Sequence, residues 1–323
     1  MCVCGGLAVR HGHPDNDDDS RNHCRNHPAP PRTASMTDQI TQAFPTWTAG
    51  RDALARFDAN LEHRRYRTDS GATIEWRIAG SGKPLVLVHG GHGNWSHWIR
   101  NIDYLAATRT VFLPDLPGYG DSDGPPRGGS FADLIDATLE SLDGLIGPAT
   151  SIDLAGFSFG GLVAATLACR RPVGQIMLVG SAGHGGKRRP QSPLLNWKKA
   201  ESADERRALL DANLKAFMLH SADSADPLAC AAYQDACLKT RFRSKDISLA
   251  SPLMALLRDA NIAPLLLWGD CDVTAAEPAK FSHALRVARI PHDFHLVPRA
   301  GHWAQYEAAD EVNRRLGEFL LNG

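Results

Sequence analysis

Ser151-Ile-Asp-Leu-Ala-Gly156-Phe157-Ser158-Phe159-Gly160-Gly161-Leu-Val-Ala-Ala-Thr-Leu-Ala-Cys169 is the stretch that decides how this chain folds. Its first five residues are an apolar run of strand type, and its last nine are a small-residue helix. Gly156 to Gly160 is then a sharp strand-to-helix turn with a serine at its apex. Such a turn exposes a hydroxyl that is otherwise a poor nucleophile. Glycines on either side remove the β-carbons that would collide across it, and the new helix aims free N–H groups at whatever forms on the serine. With 29 glycines in the chain, the five-residue pattern alone recurs by chance. A nucleophile also requires a base, an acid and an oxyanion hole.

Bulk composition narrows the classes. The chain has 323 residues, 43% hydrophobic and 22% charged, as in an ordinary soluble globular protein. A net charge of −1 gives no electrostatic case for nucleic acid or an anionic membrane as a partner. No run of about eighteen apolar residues exists, so no membrane span is expected. Residues 1–35 are rich in His, Asn, Asp, Arg and Pro and are expected to be a disordered leader or a mis-started segment, with Met36 as a plausible start. Cys2, Cys4 and Cys24 with the histidines there match no zinc spacing well. Cys169, Cys230, Cys237 and Cys271 stand singly, so free thiols and a cytoplasmic location are expected.

From residue 73 onward strand and helix signals alternate. Ile74, Trp76 and Ile78 alternate with polar residues, and Pro84–Val88 is a continuous apolar run. Further strands are expected at 110–113, 151–155, 175–179, 264–268 and 294–297. Helices are expected near 95–107, 130–146, 159–170, 276–288 and 307–321. The pattern implies an α/β fold with a mostly parallel, doubly wound sheet. Alternation fails between 182 and 260, where caps at Ser202, Asp226 and Ser251 and a face of Leu210, Leu214, Phe217 and Met218 signal helices. The expected organisation is a core of 36–181 and 261–323, with a helical lid at 182–260 over the sheet edge where ligands bind in such folds.

The remaining catalytic parts are expected in the order serine, acid, histidine. His302 follows the last expected strand and is the expected base, whereas His292 and His295 lie at the start of or inside that strand. Gly269-Asp270-Cys271-Asp272 offers two carboxylates. Asp272, further into the loop, is the expected acid and Asp270 the expected loop cap. The strand ending at Val179 is followed by no carboxylate. Oxyanion donors are expected at the Phe159 and Gly91 N–H groups. His89 is expected to brace the glycine loop, and no third ligand supports a metal at His89 and His92. His92, Trp95, Phe157, Phe217 and Trp303 are the expected pocket residues.

Over residues 63–323 the chain resembles the α/β-hydrolase fold superfamily. The matching parts are His89-Gly-Gly, Asp115-Leu-Pro-Gly-Tyr-Gly-Asp-Ser122, Gly156-Phe-Ser-Phe-Gly-Gly161, Trp268-Gly-Asp-Cys-Asp272 and Gly301-His302. Within that resemblance the Asp115–Ser122 loop is expected to serve structure. Gly301-His-Trp-Ala-Gln-Tyr-Glu307 further resembles the histidine segment of the meta-cleavage-product hydrolases, which split a carbon–carbon bond. That branch has asparagine directly before the serine, where this chain has Phe157, and uses a lid arginine to hold the substrate carboxylate. Arg241 and Arg243 are the arginines available for that role. The expected function is therefore a serine hydrolase of carboxylic esters or similar small acyl substrates, without metal or cofactor. Carbon–carbon hydrolysis is the first alternative, and a non-catalytic ligand-binding member of the fold the second.

Overall fold

The computed structural model describes residues 47–124 and 129–322. The expectations placed on residues 1–36 lie outside that range. In chain order the elements are α1 (Trp47–Ala59), β1 (Glu62–Arg67), β2 (Thr73–Ala79), β3 (Lys83–Val88), a 3₁₀ turn (Trp95–Trp98), α2 (Ile102–Ala106), β4 (Arg109–Pro114) and α3 (Phe131–Ile146). They continue with β5 (Ile152–Phe157), α4 (Phe159–Ala168), β6 (Val173–Val179), α5 (Ala203–Phe217), α6 (Pro227–Lys239), α7 (Lys245–Leu249), α8 (Leu253–Ala260) and β7 (Leu265–Gly269). The chain closes with α9 (Pro278–Val287), β8 (Asp293–Val297), α10 (Ala304–Glu307) and α11 (Ala309–Leu321).

Eight strands form one sheet in the order β1-β2-β4-β3-β5-β6-β7-β8. β1 with β2 and β2 with β4 are antiparallel, and every other pair is parallel. Strand side chains alternate between two buried layers. Leu85, Leu87, Ala155, Leu265 and Leu267 enter one core, while Val86, Val88, Leu154, Leu266 and Trp268 enter the other. Burial on both faces is why these strands read as unbroken apolar runs.

Neither α1 nor β1 is among the elements expected from sequence. β1 reads Glu-His-Arg-Arg-Tyr-Arg and is almost wholly exposed. It is an edge strand held by cross-strand charge, with Arg65 Nε donating to Glu75 at 2.8 Å and the His63 imidazole bonded to the same carboxylate at 2.8 Å. An edge strand of charged residues carries no apolar period to detect.

The boundary of the insertion also moves. Leu253 and Leu257 of α8 share a core with Val86, Leu154 and Leu266. α8 therefore belongs to the helical layer over the sheet, where an apolar face is buried against strands. The expected lid boundary at 260 falls about one helix too late, and the segment that stands over the sheet edge ends near α7.

β4 lies on one side of β3 and β5 on the other. The chain thus changes direction across the sheet at β3/β5, and the loops after these two strands part to leave a crevice. The glycine loop after β3 and the serine turn after β5 face each other there.

Candidate active site

Ser158 sits between β5 and α4 with φ 52° and ψ −118°. A positive φ at a non-glycine residue costs on the order of 1–3 kcal/mol and persists only where surrounding packing imposes it. The packing here is close. A β-carbon on Gly156 would lie 2.4 Å from the Gly160 carbonyl oxygen, and one on Gly160 would lie 2.3 Å from that of His89. Ser158 stands at the N-cap of α4 but makes no capping bond. Its Oγ instead lies 2.9 Å from His302 Nε2.

His302 lies in the loop between β8 and α10, and Asp272 in the loop after β7. His302 Nδ1 is 2.9 Å from Asp272 Oδ2. The other carboxylate oxygen accepts from the Thr274 N–H and from Thr274 Oγ1, each at 2.7 Å. Since the threonine hydroxyl gives its proton to Asp272, its lone pair faces His302 Nδ1 at 3.2 Å. Both neighbours of Nδ1 are acceptors, so the proton resides on Nδ1 and the Nε2 lone pair faces the serine hydroxyl. Burial alone would push the Asp272 carboxyl up. The His302 and Thr274 contacts outweigh it and hold the carboxyl below its ordinary value. Asp270 lies outside this arrangement, and its carbonyl accepts from Arg189 Nη2 at 2.6 Å.

The glycine loop is braced by two buried histidines. His89 Nδ1–H donates to the Gly90 carbonyl at 2.8 Å, and its Nε2 accepts the Leu116 N–H at 2.9 Å. Both nitrogens are thus used, which leaves no lone pair for a metal. Burial lowers the His89 pKa to about 4, so the ring stays neutral. His97 Nδ1 accepts the Gly90 N–H at 3.2 Å. Beside this loop, a β-carbon on Gly91 would meet Ser244 Oγ at 2.5 Å. Only glycine lets the insertion approach so closely. Phe159 opens α4, where a backbone N–H has no partner within the helix.

The Asp115–Ser122 loop is structural in its contacts. Asp115 accepts from Arg77 Nη1 at 2.7 Å and from the Trp95 N–H at 3.0 Å, and Ser122 Oγ donates to the Asp115 carbonyl at 2.5 Å. Arg77 also pairs with Asp58 and Asp121, so one buried guanidinium ties three segments together.

A cavity of about 520 Å³ opens over Ser158. The sheet edge contributes Gly91, His92, Gly180 and Thr274, and the insertion contributes Arg188, Trp197, Phe217, Met218, Tyr233, Ser244 and Lys245 among others. His92 and Phe217 therefore line it as expected from sequence, and the Phe217 ring stands 5.4 Å from that of His302. Trp95, Phe157 and Trp303 do not line it, which corrects their assignment. Phe157 ends β5 on the face away from the cavity, buried against His97 and beneath His302. Trp95 stacks on Phe57 and carries the Arg77 guanidinium over its ring. Trp303 is fully buried, and its indole N–H donates to the His97 carbonyl at 2.8 Å. Phe157 is core because it ends a strand buried on both faces, and Trp95 and Trp303 are core because the 3₁₀ turn after the glycine loop and the segment before α10 pack on each other around His97.

Several residues at the site carry no motif signal. Thr274 orients Asp272, and Ser244 touches the glycine loop. Glu307 accepts the Gly301 N–H at 2.7 Å and the Ser221 N–H at 2.7 Å, so it fastens the His302 loop to the insertion. That explains the acid at the end of the Gly301–Glu307 segment. Arg241 donates to the Ser122 and Lys239 carbonyls, and Arg243 is exposed near Asp246; neither lines the cavity.

Residues 85–315 match the family model described as "Alpha/beta hydrolase family". This chain belongs to the alpha/beta hydrolase family. The hydrolase is 30% identical over 275 residues to a 2-hydroxy-6-oxo-6-phenylhexa-2,4-dienoate hydrolase of Burkholderia cepacia, covering 79% of this chain and 93% of the relative. Among solved structures it is similar to the naproxen esterase (carboxylesterase NP) of Bacillus subtilis, with a TM-score of 0.66, 18% identity and coverage of 85% of this chain and 96% of that one. It is also similar to a meta-cleavage product hydrolase from Pseudomonas fluorescens IP01, with a TM-score of 0.57, 23% identity and coverage of 80% and 97%. At these identities the two structures show the shared fold. No helix among the described residues is long and apolar enough to cross a membrane.

Proposed function

We propose that this hydrolase cleaves a carboxylic ester or similar acyl substrate through an acyl-enzyme on Ser158. The observation that carries the proposal is the line from Ser158 Oγ through His302 to Asp272, with 2.9 Å at each link. Ser158 Oγ attacks the acyl carbon while its proton passes to His302 Nε2. Asp272 stabilises the imidazolium. The Phe159 and Gly91 N–H groups stabilise the tetrahedral oxyanion. As the carbon–oxygen bond breaks, His302 returns the proton to the leaving alcohol. Water, deprotonated by His302, then attacks the acyl-enzyme and frees the acid.

Two observations favour esters. Phe157, where the carbon–carbon hydrolases have asparagine, is apolar and buried. Arg241 is engaged with backbone carbonyls away from the cavity. The second reading, carbon–carbon hydrolysis of a vinylogous diketo acid, is favoured by the Burkholderia cepacia relative and by Arg188 and Lys245 in the cavity wall. A rate comparison decides between them. Aryl esters of varied acyl length should turn over faster than a 2-hydroxy-6-oxohexadienoate, and a large preference for the latter would reverse the ranking. Covalent labelling of Ser158 by a fluorophosphonate would exclude a ligand-binding member without catalysis.

A further inference from the structure

The near-neutral charge of the whole chain conceals one segment of a single sign. From Gly185 to Ala200 the sequence is Gly-Gly-Lys-Arg-Arg-Pro-Gln-Ser-Pro-Leu-Leu-Asn-Trp-Lys-Lys-Ala, with five cations and no acid. Leu194, Leu195 and Trp197 lie between the two basic clusters. The structure places this strap across the mouth of the cavity above Ser158, where Arg188, Leu194, Leu195 and Trp197 all line the opening. Leu249 and Lys245 of α7 line it from the other side.

The leucines are exposed although the backbone that carries them is held. Leu194 is 48% exposed, Leu195 46% and Leu249 51%, three of the eight large apolar side chains exposed among the described residues. Buried Asn213 brackets the Leu195 backbone, accepting its N–H at 2.7 Å and donating to its carbonyl at 2.9 Å. Arg189 clamps the other end, with its N–H on the Val273 carbonyl at 3.0 Å and its guanidinium on the Asp270 and Asp272 carbonyls. An anchored strap cannot fold its leucines inward. Of the remaining cations, none of Lys187, Arg188, Lys198, Lys199 and Lys245 forms an ion pair with a described carboxylate. Three acids follow the strap, Glu201, Asp204 and Glu205; Asp204 pairs with Arg207 at 3.4 Å and Glu205 accepts the Glu201 N–H, while beyond them Asp246 faces Arg243 at 3.8 Å. Lys198 is close enough to His92, on the opposite wall, to help lower its pKa after burial.

We infer that this rim is a docking surface for an anionic lipid surface. Single exposed leucines are ordinary, whereas apolar side chains grouped around an opening and interleaved with cations form an interaction site. Leucine and tryptophan beside lysine and arginine suit an interface that is apolar within and negative at its surface. A nucleic acid or an acidic protein would answer the cations and leave the leucines in water. The apolar wall continues inward through Phe217 and Met218 to Ser158, so an acyl chain could pass from the lipid to the serine without crossing water. The corollary, that the substrate is an amphiphilic ester, rests on the hydrolase reading above.

The test is co-sedimentation of the full chain with phosphatidylcholine vesicles, with and without phosphatidylglycerol. Binding should require phosphatidylglycerol and weaken as salt rises. Reversing charge in K187E/K198E/K199E should weaken partition roughly a hundredfold, at about fivefold or more per cation. L194S/L195S should also weaken it while leaving retention on heparin unchanged. Ser158→Ala should bind vesicles like wild type and lose ester hydrolysis, which separates the two readings: normal hydrolysis by that variant sinks the nucleophile alone. Absence of binding at low salt, or binding indifferent to either set of rim substitutions, overturns the docking surface. Loss of binding in the charge variant with none in the leucine variant assigns the rim to a soluble polyanion and likewise overturns it.

Discussion

The cavity has two walls of opposite character. The sheet-edge wall is buried, neutral or internally paired, and set by loops that follow β3, β5, β7 and β8. The insertion wall is exposed at its rim, basic and partly apolar, and is fastened to the first by Glu307 and Arg189. One wall is shaped by backbone sterics and hydrogen bonds around a reacting atom. The other is shaped by what must reach that atom. Chemistry and selection are thus carried by different kinds of residue.

The largest effect belongs to the sheet edge. Ser158→Ala should lower ester hydrolysis by several orders of magnitude, leaving about 10³–10⁴-fold over water. Initial rates on an aryl ester check this, and near-wild-type turnover would remove Ser158 as nucleophile. Asp272→Asn should cost about 10⁴ in kcat, because an amide no longer holds the proton on His302 Nδ1. Thr274→Val removes one bond to the same carboxylate, about 1.5–3 kcal/mol, so kcat should fall about ten- to a hundredfold with KM little changed.

Next comes a pair that separates core from pocket. Trp95→Ala should destabilise the fold by about 3–5 kcal/mol in urea unfolding and leave acyl-chain preference alone. Phe217→Ala should do the reverse, keeping stability while reducing kcat/KM for longer acyl chains about tenfold relative to short ones. A selectivity change in the Trp95 variant would return that ring to the pocket.

A smaller effect follows from pH. The folded Asp272 carboxyl lies below its ordinary value. Its ionised form is therefore the one that folding favours. The resulting stability is whole above about pH 4 and is lost as pH falls through the folded value. Urea titrations of wild type and Asp272→Asn should differ in slope with pH only below about pH 4.

The smallest effect is a negative one on the insertion wall. Burial, opposed in part by a bond from Tyr233, pushes the Cys237 thiol up to about 12. Although it lines the cavity, it should resist iodoacetamide at neutral pH, with activity unchanged over a time that alkylates a free thiol. Rapid inactivation that Cys237→Ser abolishes would show the thiol to be exposed and ionised.

The sheet-edge wall was legible because its geometry admits few residues. A serine at φ 52° between a strand and a helix needs glycines where the backbones meet, so the pattern is written into adjacent positions. Strands buried on both faces appear as apolar runs, which is why β3 to β7 were placed within two residues. What stayed hidden depends on partners far away in the chain. β1 is a charged edge with no period, Thr274 becomes part of the site only through Asp272, and Glu307 joins the Gly301 loop to Ser221 of the insertion. Trp95, Phe157 and Trp303 are core although they adjoin the motifs, since adjacency in sequence does not say whether a ring turns toward the cavity or into the packing behind it.

By itself, then, the sequence determined the fold class, the serine turn, and the order and loops of acid and base, because these are local demands of backbone geometry. The tertiary structure alone decided which side chains face the cavity, where α8 packs, and that Arg188 and Lys245 meet the exposed Leu194, Leu195 and Leu249 at one rim. Facing, distance and shared exposure arise only when separated segments pack together, and a whole-chain charge averages them away.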